Sequence, residues 1–278
     1  MRALLAIAVV ALPVLVGVGY STLAAVGILG PGASGFNPSR VASVLSEPAV
    51  WRGVGWSLWV ASASTLLATA GAILIAGALR GRSTVDRLGR SLSVLALPVP
   101  HIVAAVLGVL ILGQSGILAR FAFAVGWIDS PGAMPALIYD RGGIGLILAL
   151  TWKEIPFLAL IAFSVLATRG EVLEETARGL GAGPLMTFRH VTFPLLWRGM
   201  LPGMVAVFAF VLGSYEAAAL LAPSRPLALP LMTLERYTDV DLASRADAFV
   251  LVLIGVLLAA FAVAGHEWAR ARWGVEPA

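Results

Sequence analysis

Three charged side chains stand well inside stretches that are otherwise largely apolar. Lys153 and Glu154 fall about ten residues into the run 144–167, and Glu216 lies late in the run 196–221. A charge near mid-depth of a bilayer costs roughly 2.5–3.5 kcal/mol on insertion scales, so such residues either line a solute path or are held by backbone, a packed interface or a partner subunit. Neighbours on a helix point about 100° apart, so Lys153 and Glu154 need not pair with each other. Glu216 could meet a cationic substrate, gate an outer mouth or cap local backbone.

Other chemistry is scarce. A phosphate-cradling Walker loop needs Gly-Lys-Ser/Thr, and the only lysine is Lys153, which follows Trp152 inside a span. His101, His190 and His266 have no metal-ligand spacing, so no metal site is expected. The acids Asp239, Asp241 and Asp247 fit no metal spacing either, and no Ser/His/Asp or paired-carboxylate arrangement can be argued. The chain is therefore expected to carry no catalytic residue and to bind no cofactor. It has no cysteine, which removes disulfides and thiolate sites.

The elements that position these groups are membrane helices. Of 278 residues 59% are hydrophobic and 12% charged, about half the charged fraction of a soluble domain. Six stretches reach the roughly 20 apolar residues a crossing needs: about 3–29, 54–79, 91–113, 144–167, 196–221 and 247–265. The first run is too long for a signal-peptide core and contains Pro13. Lipid cannot satisfy backbone polar groups, so the fold class is an all-α polytopic membrane protein, read as a single domain. Small residues in the second span (Ser57, Ser62, Ser64, Thr65, Gly71, Gly77) suit close helix packing. A short helix is expected at 39–46 in the first outer loop.

Orientation follows the basic residues. With the N-terminus inside, eleven arginines (2, 80, 82, 87, 90, 169, 178, 189, 198, 270, 272) face the cytoplasm and seven (40, 52, 120, 141, 225, 236, 245) face outside. The short loop Arg80-Gly81-Arg82-Ser83-Thr84-Val85-Asp86-Arg87-Leu88-Gly89-Arg90 decides the count. Both termini and the polar island 168–195 are then cytoplasmic. The +4 net charge is scattered over short loops and does not point to nucleic acid.

The island reads as two short helices hinged at glycine. Glu171, Glu174 and Glu175 occupy the first turns of one, where the helix dipole favours carboxylates, and Gly179 and Gly181 stop it. Gly183-Pro184 opens the second, which carries Leu185, Met186, Phe188, Arg189 and His190 and is ended by Pro194. On these residues alone, the pair suits a lipid headgroup layer as well as a protein groove.

The island resembles the EAA loop of permease subunits of binding-protein-dependent ABC importers. That pattern runs Glu-Ala-Ala, three residues, Gly, nine residues, Ile-x-Leu-Pro. This chain has Glu175-Thr176-Ala177, three residues, Gly181, nine residues, Val191-Thr192-Phe193-Pro194. Thr176, Val191 and Phe193 depart conservatively. Six spans, a basic loop after the second and the island between the fourth and fifth match the MetI-like, type I importer layout. Trp152-Lys153-Glu154-Ile155-Pro156-Phe157, Tyr215-Glu216 and Leu97-Pro98-Val99-Pro100-His101 are similar to segments of the polyamine, thiamine, ferric-iron and sulfate branch.

The resemblance implies a permease subunit in the bacterial cytoplasmic (inner) membrane. It would pair with a second permease, identical or homologous, above a cytoplasmic ATPase dimer that hydrolyses ATP with Mg, and receive solute from an external binding protein. Ala182–His190 would be the coupling helix, Gly181 its hinge, and Glu175 would hold the loop by hydrogen bonding near the ATPase. Ala177, Pro184, Val191 and Pro194 would belong to the same coupling loop, and Lys153, Glu154 and Glu216 to a translocation path. A polytopic enzyme acting on lipid-like substrates and a passive channel are the competing readings.

Overall fold

A computed structural model describes residues 2–81 and 83–273, and every regular element in them is helical. In chain order these are α1 (Arg2–Ala25), α2 (Ser39–Leu45), α3 (Pro48–Ala78), α4 (Thr84–Ser93), α5 (His101–Leu112), α6 (Ile117–Ala124), α7 (Ile144–Val165), α8 (Glu171–Gly179), α9 (Pro184–Thr187), α10 (Phe193–Leu212), α11 (Tyr215–Leu221), α12 (Leu229–Tyr237) and α13 (Leu242–Trp273). Six helical stretches are long and apolar enough to cross a membrane: Ile7–Ala25, Pro48–Ala78, His101–Ala124, Ile144–Gly179, Pro184–Leu212 and Leu242–Arg272. The chain divides into two compact units, one made of residues up to Leu58 with Ser224–Ala260, the other of Trp59–Pro223 with the residues after Ala260.

The first unit closes over a core of Val44, Val50, Val54, Leu229, Met232 and Leu251. The Ser57 hydroxyl accepts the Leu229 amide at 2.8 Å and so occupies one of the open donors at the start of α12. Beside this core lies a charged group: Arg40 is 3.9 Å from Asp247, and Arg236 pairs with Glu47 and lies 3.8 Å from Asp247.

In the second unit α7 packs against α5 and α10, and α11 against α5 and α7. Small residues permit the approaches. A side chain on Gly199 would meet Val165 at 2.6 Å, and one on Gly203 would meet Ile161 at 2.3 Å. Gly71 likewise faces Ile155 at 2.7 Å, whereas Gly77 faces open space, so only the first of these two expected packing glycines is used that way.

Three boundaries differ from the sequence expectation. The third span begins at His101, not near 91. Pro98 and Pro100 lack amide donors and push the preceding residues out of helical geometry, and Pro100 itself is extended with ψ of 147°. The residues ahead of them form α4, opened by a capping box between Ser83 and Asp86. The Ser83 hydroxyl on Asp86 holds that carboxyl below its usual range. One turn further along the same face of α4, Arg90 Nη1 donates to the carbonyls of Leu79 and Gly81 at 2.7 and 3.0 Å and satisfies the end of α3.

The second difference is in the island, whose helices are not separate. A π-helical turn, Leu166–Gly170, joins α7 to α8, and another, Phe188–Thr192, joins α9 to α10. Glu171, Glu174 and Glu175 therefore do not sit at a free helix start. Pro194 does not end the second helix. Its ring would clash with the carbonyl of His190 in a regular α-helix, and the wider turn before it removes that conflict. Third, the fifth span stops at Leu212, and Gly213-Ser214 separates it from α11, which carries Glu216.

Candidate functional site

The island is a helix end, a reversal and a helix start. Helix α8 closes with Gly181 in the left-handed region at φ +89°. The Gly181 amide donates to the Arg178 carbonyl at 2.9 Å and the Ala182 amide to Ala177 at 3.0 Å, the paired bonds of a Schellman stop. A Cβ at 181 would have open space around it, so the demand for glycine is conformational rather than steric. Gly183 is extended and Pro184 takes the first turn of α9, where its missing amide costs nothing.

The reversal presents an apolar ridge. Leu180 is 85% exposed, Leu185 79% and Met186 59%, and Phe188, Arg189 and His190 are exposed beside them. Beneath, Thr187 is buried and donates to the Gly183 carbonyl at 3.1 Å. Ala177, Val191 and Pro194 are half-buried on the inner side. The ridge continues as one helix into the fifth span, since α9, the π turn and α10 are contiguous. Large apolar side chains left uncovered at a loop on a rigid support mark an interaction site.

Glu174, not Glu175, holds the loop. Glu175 is exposed and has no side-chain partner among the described residues. Glu174 is 6% exposed and accepts from three sides. Arg80 Nη1 lies 2.6 and 2.7 Å from its two oxygens, Thr192 Oγ1 donates to Oε1 at 2.5 Å, and Arg178 Nη2 lies 3.3 Å from Oε2. The sequence carried one local sign of this, Arg178 four residues after Glu174. Arg80 and Thr192 are 94 and 18 residues away from Glu174, with no periodicity to announce them.

Lys153 and Glu154 are both buried, and each has its own partner. Lys153 Nζ reaches the Leu97 carbonyl at 3.3 Å, in the non-helical segment ahead of α5. Glu154 Oε1 lies 2.9 Å from Nε2 of His101, whose ring packs on Phe210 at 4.4 Å between centroids. The two side chains thus pin the proline-broken entry of the third span to the fourth. Glu216 is exposed in the first turn of α11. His101 had no readable signal, because its partner is 53 residues on.

The sequence profile of the family described as "Binding-protein-dependent transport system inner membrane component" matches residues 68–273. The chain is 30% identical over 224 residues to the molybdenum transport system permease protein ModB of Mycobacterium tuberculosis, covering 79% of this chain and 81% of that one. It is 28% identical to a probable molybdenum ABC transporter permease protein of Haloferax volcanii, over 84% and 82% of the two chains. The sulfate transport system permease protein CysT of Synechocystis is 27% identical over 55% of each. Among solved structures, a bacterial alginate ABC transporter in complex with its alginate-bound periplasmic protein superposes with a TM-score of 0.75 over 98% of this chain and 92% of that one, at 13% identity, a likeness of fold alone. With a profile match over most of its length, the apolar helices to cross a membrane and a polar reversal between the fourth and fifth, this chain belongs to the binding-protein-dependent transport system inner membrane components, as a multi-pass permease subunit of an ABC importer.

Proposed function

We propose that the ridge Leu185–His190 docks into a separate cytoplasmic ATPase and that its displacement drives alternating access in the spans above. The observation that carries this is the continuity of α9 with α10: a force on Leu185 or Met186 is delivered to the fifth span without a flexible joint. Gly181 is the reversal from which the ridge projects. Exposed Glu175 contributes to the docking surface, with Ala177, Pro184, Val191 and Pro194 shaping its support. ATP and Mg act in the partner ATPase dimer, because this chain lacks the Gly-Lys-Ser/Thr loop that cradles phosphate. The excess of arginine around the island and the 80–90 loop supports a cytoplasmic placement in a bacterial inner membrane.

A second permease copy or homologue completes the path, and an external binding protein delivers the cargo. The relatives covering most of this chain are named for molybdenum, while the sulfate permease covers about half. A tetrahedral oxyanion such as molybdate is therefore the proposed cargo. Lys153 and Glu154, each occupied by a partner within the chain, shape the path by fixing the third span rather than by touching solute. Glu216 is exposed on α11, and its carboxylate would repel an oxyanion, so it is not proposed as a cargo contact.

The test is reconstitution of the chain with its ATPase and binding protein in vesicles, followed by ATP-dependent uptake of radioactive molybdate. Uptake that needs all three proteins supports the reading. Uptake without ATP, as a passive channel would give, or a chain that purifies without any ATPase, overturns it.

A further inference from the structure

We infer that Arg80, Glu174 and Thr192 form a latch that fastens the end of the second span to the coupling segment, so that ATPase motion is delivered to the second span as well as to the fourth and fifth. The inference rests on the coupling role proposed above. It concerns residues outside the docking ridge and outside the Glu-x-Ala…Gly…Pro pattern by which the loop was recognised.

Three segments meet on one carboxylate. Arg80 lies two residues past the last residue of α3, Glu174 is in α8, and Thr192 is the last residue of the π turn leading into α10. The Glu174 carboxylate takes both of its short contacts with Arg80 from a single guanidinium nitrogen and a third from Thr192. Nε and Nη2 of Arg80 are buried with no partner among the described residues. The guanidinium is therefore partly desolvated, with 30% of the side chain still exposed, and its buried face relies on Glu174 for compensation. Such a pair is a poor route to stability, because desolvation offsets most of its attraction, and is better suited to fixing one arrangement of parts.

The geometry around the carboxylate fits a mechanical role. Glu174 follows one π turn (Leu166–Gly170) and Thr192 closes the other, and turns of this kind recur at functional sites. These two turns are where α7–α8 and α9–α10 depart from regular helix. The latch spans them and adds α3. The covalent path from the ridge reaches the fifth span directly and the fourth through the Gly181 reversal. The Glu174–Arg80 contact extends it to the end of the second at the coupling segment itself. Arg178, with 61% of its side chain exposed, is a peripheral member. Arg80, Glu174 and Arg178 line a cleft of about 600 Å³ with Gly81, Arg90 and Glu171, which leaves room for Arg80 to part from Glu174 when the segment moves.

The test uses the intact transporter in vesicles, measuring molybdate uptake and ATP hydrolysis in the same sample. Glu174→Gln and Arg80→Ala are expected to keep the ATPase bound and hydrolysing while uptake per ATP falls at least ten-fold. Thr192→Val removes one hydrogen bond without stranding a charge and is expected to lower the ratio two- to five-fold in a normally folded complex. The swap Arg80→Glu with Glu174→Arg is expected to regain part of the ratio. Wild-type uptake per ATP in both Glu174→Gln and Thr192→Val overturns the latch. Loss of the ATPase from the Glu174→Gln complex, with Thr192→Val unaffected, overturns it too, since the pair would then only support the fold. A wild-type complex that hydrolyses no ATP, or takes up molybdate without it, defeats the coupling reading itself.

Discussion

Two buried carboxylates in this chain have equal exposure, 6% each, and different company. Glu174, in the polar island, is held by an arginine, a threonine and a second arginine from three segments. Glu154, in the fourth span, is held by one histidine, His101, at the entry of the third. A guanidinium stays charged at any accessible pH, so Glu174 answers a fixed cation. Glu154 instead meets a single imidazole nitrogen at 2.9 Å, one contact where Glu174 has several. The island, beside water, can hold a full ion pair. Thus the pair that joins several segments lies where forces would enter, and the one that fixes a broken helix lies within the spans.

Thermal unfolding of the purified chain in detergent should rank substitutions accordingly. Glu174→Ala strands a half-buried Arg80, 30% of whose side chain is exposed, and the hydroxyl of Thr192, and is expected to cost about 3 kcal/mol, the low end for a broken buried pair. Glu154→Ala removes the hydrogen-bond partner of His101, so the expected loss is about 1–3 kcal/mol, that of an unpaired hydrogen-bonding group. A larger loss at Glu154 than at Glu174 would invert the comparison. Gly181→Ala forces an L side chain into the left-handed region and should cost about 1–2 kcal/mol, with a clear fall in uptake. Leu185→Ala, on the exposed ridge, should change stability by less than about 0.5 kcal/mol yet weaken co-purification of the ATPase. If its retention were normal, the ridge would not be the docking surface.

Much of this was legible in the chain itself. Six apolar runs predicted six spanning helices, because hydrophobic length is set by the bilayer and needs no tertiary information. The Gly181 reversal was also readable, since a stop with glycine followed by Gly183-Pro184 is a local signal. What failed was continuity. Pro194 reads as a terminator by local rules, and only the π turn before it lets the helix pass. Conversely, the run from 91 was read as one span although Pro98 and Pro100 break it, and Ser83-x-x-Asp86 signalled the separate helix α4. Partners of buried charges were illegible for a different reason. Arg80 and Glu174, or His101 and Glu154, meet only through tertiary packing, so no window of sequence contains both.

The central claim is that the ridge after Gly181 meets a protein rather than the lipid surface. A photo-crosslinking amino acid at position 185, in membranes that express the complete transporter, reads this directly. The account predicts a covalent adduct with the ATPase subunit that changes in yield when ATP is trapped. Crosslinking to lipid alone, unchanged by nucleotide, would contradict it.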